Sequence, residues 1–315
     1  MVGGVTTRAL WEFVREDFGL DVVELTRVHG GADQAAEVWL ARAGERRYAV
    51  KWSGGGTDAG ARVSAELAAA GVAGVAGPVP TRGGELWSVR EGRRLTVMPW
   101  VDGRGAAEVG LTDAEWTAYG VLLAGVHSAE PSEGLRRVLP ALNPVSARMP
   151  GLFRELDERL TGQVPGDEIE AELARLWREH RELILGLLEP VDGPRGTPVI
   201  CHGDPHLGNV IVGESVHLID WDDAVLAARE QDLMFVLGGM GTLGPANPGQ
   251  LDAFFTGYGE TEIDDRNLRY YRHARALEDV ALWAEQAITG PDREDSLRIL
   301  RGVLGPDGLA VLAVS

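Results

Sequence analysis

The chain has 315 residues, enough for one large domain or two modest lobes that each bury a core, and its 48 Asp and Glu against 30 Lys and Arg leave a formal charge of −18. Such a field repels phosphate backbones, which argues against a nucleic-acid partner and favours a small cationic one. A single cysteine, Cys201, excludes a disulfide framework and a cysteine-rich zinc site and fits a reducing, cytoplasmic setting.

Residues 1–19 mix Arg8, Glu12, Arg15, Glu16 and Asp17 with apolar residues, which is no signal-peptide core, and no apolar run reaches membrane-spanning length, so no membrane partner is expected. Leu10, Phe13 and Val14 at helical spacing before Gly19 predict a short amphipathic helix. Three β-rich runs follow, Val22 to Val28, Ala36 to Ala41 and Arg47 to Trp52, with a hairpin turn at residues 42–45. After the glycines at 54–56 a helix is expected from Thr57 to Ala70, and then a hairpin from Glu85 to Trp100 turning at Glu91-Gly92-Arg93.

Beyond Asp102-Gly103 the pattern becomes helical. Thr112-x-x-Glu115 is a capping box that opens a helix with Trp116, Tyr119, Leu122, Leu123 and Val126 as its apolar stripe. Asp167 to Leu188 is expected to form a second long helix. Short β-runs flank a loop between Pro198 and Ile219, helices resume from Glu230 to Leu304, and a Gly- and Pro-rich loop at 238–249 divides them.

The chemistry concentrates in that loop. Residues 202–209 read His-Gly-Asp-Pro-His-Leu-Gly-Asn, and 218–223 read Leu-Ile-Asp-Trp-Asp-Asp. Phosphoryl transfer needs a carboxylate beside the acceptor hydroxyl, and an amide oxygen with a second carboxylate to hold Mg²⁺ against the triphosphate. His202, Asp204, Asn209 and Asp220 have the spacing that protein kinases use for this. A rival reading takes His202, Asp204 and His206 as ligands of a hydrolytic metal site.

Of the 30 basic residues, Lys51 is the one lysine. It lies on Tyr48-Ala-Val-Lys-Trp52, where a kinase carries the lysine for its nucleotide phosphates, and Glu66 on the following helix is its expected partner. Gly30 and Gly31 permit close backbone approach to phosphate.

On these motifs the sequence resembles the aminoglycoside phosphotransferase and choline kinase-like family, and residues 30–39 look like the nucleotide loop of its spectinomycin phosphotransferase branch. The resemblance implies an α+β, two-lobed protein-kinase-like fold: a small antiparallel-sheet N-terminal lobe (1–98), a hinge (99–103) and a mainly helical C-terminal lobe (104–315). It implies an ATP- and Mg²⁺-dependent O-phosphotransferase with Asp204 as catalytic aspartate, His202 positioning the loop, Asn209 and Asp220 on the metal and Asp232 as a structural brace. Adenine would meet Pro99 C=O and Val101 N–H. The acceptor is expected to be a small, cationic molecule with a hydroxyl: an aminoglycoside or aminocyclitol, a cationic peptide antibiotic, choline or a sugar. Asp222, Glu278, Asp279 and Trp283 are its candidate contacts, Asp279 and Trp283 sharing a helix face. Monomer and homodimer both stay open, as does a silent ATP-binding module.

Overall fold

The computed structural model describes residues 7–28, 36–55, 57–141, 148–238 and 246–314. Gly30 and Gly31, and most of the loop at 238–249, lie outside the described residues.

The N-terminal part is an antiparallel sheet in the order β1-β2-β3-β5-β4, built from β1 (Glu24–Val28), β2 (Ala36–Ala43), β3 (Arg46–Ser53), β4 (Ser88–Arg90) and β5 (Arg93–Pro99). Its two tight turns have the backbone that right-twisted strands demand: Gly44 has φ 60° after β2, and Glu91 and Gly92 have φ 52° and 73° between β4 and β5. Helix α1 (Thr7–Phe18) lays Leu10, Val14 and Phe18 on the sheet, against Trp39, Val50 and Trp52.

Helix α2 (Ala59–Ala69) follows β3 in the chain but packs elsewhere. Its buried Ala59, Val63 and Leu67 join a second core with Trp116, Tyr119, Leu123, Leu218 and Trp221. The helical part begins with a short strand, β6 (Arg104–Gly105), and α3 (Ala106–Val109). The predicted capping box is present at the start of α4 (Asp113–Ser128); α5 (Glu133–Val138) and α6 (Met149–Gly162) follow, the latter unforeseen.

The long helix expected at 167–188 is instead two, α7 (Glu168–Glu179) and α8 (Arg181–Gly186), parted at His180 with φ −102° and ψ 13°. Strands β7 (Val199–Cys201), β8 (Val210–Val212), β9 (Val216–Leu218) and β10 (Val225–Ala227) form two small ribbons, β7 with β10 and β8 with β6 and β9. Helices α9 (Glu230–Gly238), α10 (Pro248–Tyr258), α11 (Asp265–Thr289), α12 (Arg293–Leu304) and α13 (Leu309–Val314) complete the chain. Helix α11 is the axis of a third core, with Ala276, Val280, Ala281 and Ala284 against Phe153, Trp177 and Leu300.

Candidate active site

The loop at 202–209 leaves β7 and enters β8, so both ends are fixed by sheet pairing. From behind, Asp232 in the first turn of α9 accepts the N–H of His202 at 2.7 Å and of Gly203 at 2.8 Å. Its Oδ2 also meets His127 Nε2 of α4 at 3.1 Å, and His127 Nδ1 meets the Tyr258 hydroxyl at 2.7 Å. Asp232 is wholly buried, and these partners satisfy both its oxygens. Gly203 is required here: its φ is 88°, and a Cβ would lie 2.1 Å from the Asp223 carbonyl oxygen.

His202 is buried beside Trp221, ring centroids 4.6 Å apart. Its Nδ1 accepts the Asp204 N–H at 3.2 Å and its Nε2 donates to Ile219 O at 2.9 Å. Both ring nitrogens are thereby engaged with backbone, which removes His202 as a metal ligand and overturns the metallohydrolase arrangement. The His, Cys and carboxylate donors that do converge among the described residues, His127, Cys201 and Asp232, are buried behind the loop.

Asp204 is largely buried within the loop. Its Oδ1 lies 2.9 Å from Arg275 Nη1, an ion pair without hydrogen-bond alignment, and its Oδ2 lies 3.4 Å from His206 Nε2. Burial alone would raise its pKa, but the Arg275 guanidinium and then His206 reverse this and hold the carboxyl well below the ordinary range. His206 is fixed by accepting Gly208 N–H at 2.9 Å. The Asn209 amide nitrogen donates to Asp204 O at 2.8 Å, which directs the amide oxygen away from Asp204.

Ile219 N–H donates to Asn209 O at 3.0 Å and so brings Asp220 beside Asn209. Asp220 has φ 62° and ψ 70°, a left-handed conformation that an aspartate adopts at a cost of about 1–3 kcal/mol. An amide oxygen and a carboxylate here are the hard donors that Mg²⁺ takes, so the residues fit that ion.

Lys51 Nζ lies 2.9 Å from Asp220 Oδ1 and 2.8 Å from Asp222 Oδ2. Burial would lower its pKa; the two carboxylates more than compensate and raise it. Two expectations need correction. Glu66 does not meet Lys51, because its carboxylate accepts Ser132 N–H at 3.1 Å and Ser132 Oγ–H at 2.6 Å. Asp222 lies on the Lys51 side rather than in an acceptor pocket.

The segment joining the two parts has a readable register. Trp100 N–H donates to Arg47 O at 3.0 Å, so by strand alternation Pro99 C=O and Val101 N–H point away from β3.

Arg275, the ion-pair partner of Asp204, lines a pocket together with Gly203, Asp223, Gln231, Tyr270 and Glu278 among others. Burial, and then the Asp204 charge, push the Asp223 pKa up. Asp279 does not reach this pocket freely. It is 5% exposed, and its Oδ1 accepts Arg275 Nε–H at 2.8 Å. Trp283 is also removed from it, packed against the third core. Of the α11 residues here, Arg275 and Glu278 line the pocket, while Asp279 is buried behind Arg275. Arg275 was missed by sequence reasoning; its one signal was the i, i+4 spacing to Asp279.

A family model for phosphotransferase enzymes matches residues 24–276. The chain belongs to the phosphotransferase enzyme family. Among solved structures, a spectinomycin phosphotransferase in complex with ADP and spectinomycin is 24% identical, with 99% of each chain covered and a TM-score of 0.87. An ethanolamine kinase of Plasmodium vivax is 13% identical, covering 96% of this chain and 89% of that one, with a TM-score of 0.60. This phosphotransferase thus has the kinase-like α+β fold of those proteins. It is also 28% identical over 137 residues to Protein StrN of Streptomyces griseus, 43% of this chain and 36% of that protein, so it matches little over a third of StrN's length. Among the described residues no helix is long and apolar enough to cross a membrane.

Proposed function

We propose that this phosphotransferase moves the γ-phosphoryl group of ATP to a hydroxyl of a small, amine-bearing molecule, with an aminocyclitol or aminoglycoside antibiotic as the leading acceptor and resistance or self-protection as the role. The observation that carries this is the set of contacts around Asp204: Asn209 donates to its carbonyl, Ile219 binds Asn209 just before Asp220, which meets Lys51, and Arg275, paired with the Asp204 carboxylate, lines a pocket with Asp223, Tyr270 and Glu278. The sheet at 1–98 and the helical part at 104–315 act as two lobes about the 99–103 hinge.

ATP would pair its adenine edge with Pro99 C=O and Val101 N–H and its phosphates with Lys51. Asn209 and Asp220 would hold Mg²⁺, which when bound neutralises phosphate charge. Asp204 accepts a hydrogen bond from the acceptor hydroxyl, aims it and takes its proton as the new O–P bond forms and ADP leaves. His202 and Asp232 keep Asp204 on station, so that catalysis is mainly positioning and electrostatics. Asp223 and Glu278 draw the acceptor's ammonium groups into the pocket.

The test is ADP release from Mg·ATP across aminoglycosides, spectinomycin, cationic peptide antibiotics and choline, each hit confirmed by a mass gain of one phosphate. Transfer to an amine-bearing hydroxyl compound is expected; transfer only to neutral sugars would contradict the acceptor class.

A further inference from the structure

In the protein-kinase arrangement, the lysine that meets the nucleotide phosphates is oriented by a glutamate on the helix after its strand. Here that helix is present, its glutamate is present, and the pair is not made. Both Glu66 oxygens are engaged by Ser132, the N-cap of α5, whose own Oγ accepts Leu135 N–H at 3.1 Å. Glu66 therefore ties α2 to the start of another helix.

Three further contacts fix α2 to the helical part. A Cβ at Gly60 would lie 2.4 Å from Trp221 O, so the first turn of α2 rests directly on the backbone of the Trp221–Asp223 turn. Val63 and Leu67 are buried in the core that contains Tyr119, Leu218 and Trp221, not in the core of the sheet. Beyond its C-terminus, Leu218 N–H donates to Gly74 O at 3.0 Å.

The same turn supplies the alternative partner. Trp221 is buried and donates its indole N–H to Leu218 O at 3.2 Å, which anchors Asp220 on one side of it and Asp222 on the other. Asp222 Oδ2 is 2.8 Å from Lys51 Nζ. A lysine has a flexible four-carbon stem and needs such a fixed carboxylate to hold its head in one place.

We infer that Asp222 is the positioning residue for Lys51, that Glu66 is a structural tie, and that α2 is a fixed element rather than one that swings to make or break the lysine's ion pair. This rests on the reading of Lys51 as the phosphate-binding residue. Asp220 is left to the metal, and Asp222 remains with Lys51.

The experiment crosses two substitutions with two readouts: the Kd for ATP, measured by calorimetry with and without Mg²⁺, and the thermal midpoint without ligand. Asp222→Asn is expected to weaken ATP binding about tenfold, the size of a lost charge-assisted hydrogen bond, with the midpoint little changed, and Asp222→Glu to recover part of that loss. Glu66→Gln is expected to lower the midpoint and leave the Kd within about twofold. ATP binding lost in Glu66→Gln, alone or together with Asp222→Asn, would overturn the inference, and so would unchanged binding in both. If Lys51→Met binds ATP as tightly as the natural chain, the reading of Lys51 itself fails, an outcome distinct from either.

Discussion

Arg275 holds two buried carboxylates at once. Its Nη1 faces Asp204 and its Nε donates to Asp279, while its guanidinium carbon sits 5.4 Å over the Phe235 ring. Removing one partner of such a cluster leaves uncompensated buried charge, a loss of about 3–5 kcal/mol. Arg275→Met, which keeps the side-chain bulk, should therefore lower the free energy of unfolding in denaturant by about that much, whereas Arg275→Met with Asp279→Leu should recover part of it. ATP affinity should hardly change in either, because Lys51 and Asp222 lie apart from this cluster. That Asp204, Asn209, Asp220 and Lys51 would be brought together was legible in the sequence because two short segments and one strand carry them. Arg275 was not, since an arginine on a distant helix acquires its partner only when the fold brings α11 to the loop.

Elements show a similar division between what spacing reveals and what packing decides. That a helix follows the glycines at 54–56 was foreseeable, but which of its faces would be buried depended on Gly60 approaching the Trp221 carbonyl, and so the helix turns Glu66 to Ser132. Gly60→Ala should be destabilising by about 1–3 kcal/mol through forced displacement of that turn, and should also weaken ATP binding; a midpoint and Kd equal to those of the natural chain would show that the contact yields. A helix starting at Asp167 was equally legible, yet the single helix expected to run to Leu188 breaks at His180, where the backbone leaves helical geometry.

The start of α7 carries a pH-sensitive contact. Asp167 caps it by accepting Glu170 N–H at 2.9 Å and pairs with Arg293 of α12 through both oxygens, at 2.6 and 2.9 Å. The Arg293 hydrogen bonds, and then the capping bond, bring its pKa from 3.8 down to about 2. The native state then binds fewer protons than the unfolded chain, so this stabilisation is complete above about pH 4 and disappears as pH falls through about 2. Thermal midpoints measured from pH 4 to pH 2 should fall less steeply in Asp167→Asn, which can still cap, than in the natural chain.

At the scale of the molecule, the −18 charge and the pocket carboxylates would act together on the proposed cationic acceptor. The kcat/KM for an amine-bearing acceptor should fall several-fold between about 0.05 and 0.5 M salt, as screening shortens the reach of the field to a few ångströms. A neutral acceptor should show little of this. The α+β class and the sheet-then-helix order were readable because turn chemistry and apolar periodicity change character near residue 103. The sharing of α2 with the helical core was not, since it depends on tertiary contacts alone.

In the proposed mechanism Asp204 aims the acceptor hydroxyl and takes no part in holding ATP. The direct test of this is to measure, in Asp204→Ala, both the Kd for Mg·ATP and single-turnover transfer to whichever acceptor the natural enzyme phosphorylates. Binding within a few-fold of the natural chain with transfer reduced at least about a thousandfold is the predicted result; transfer at a near-natural rate would contradict it.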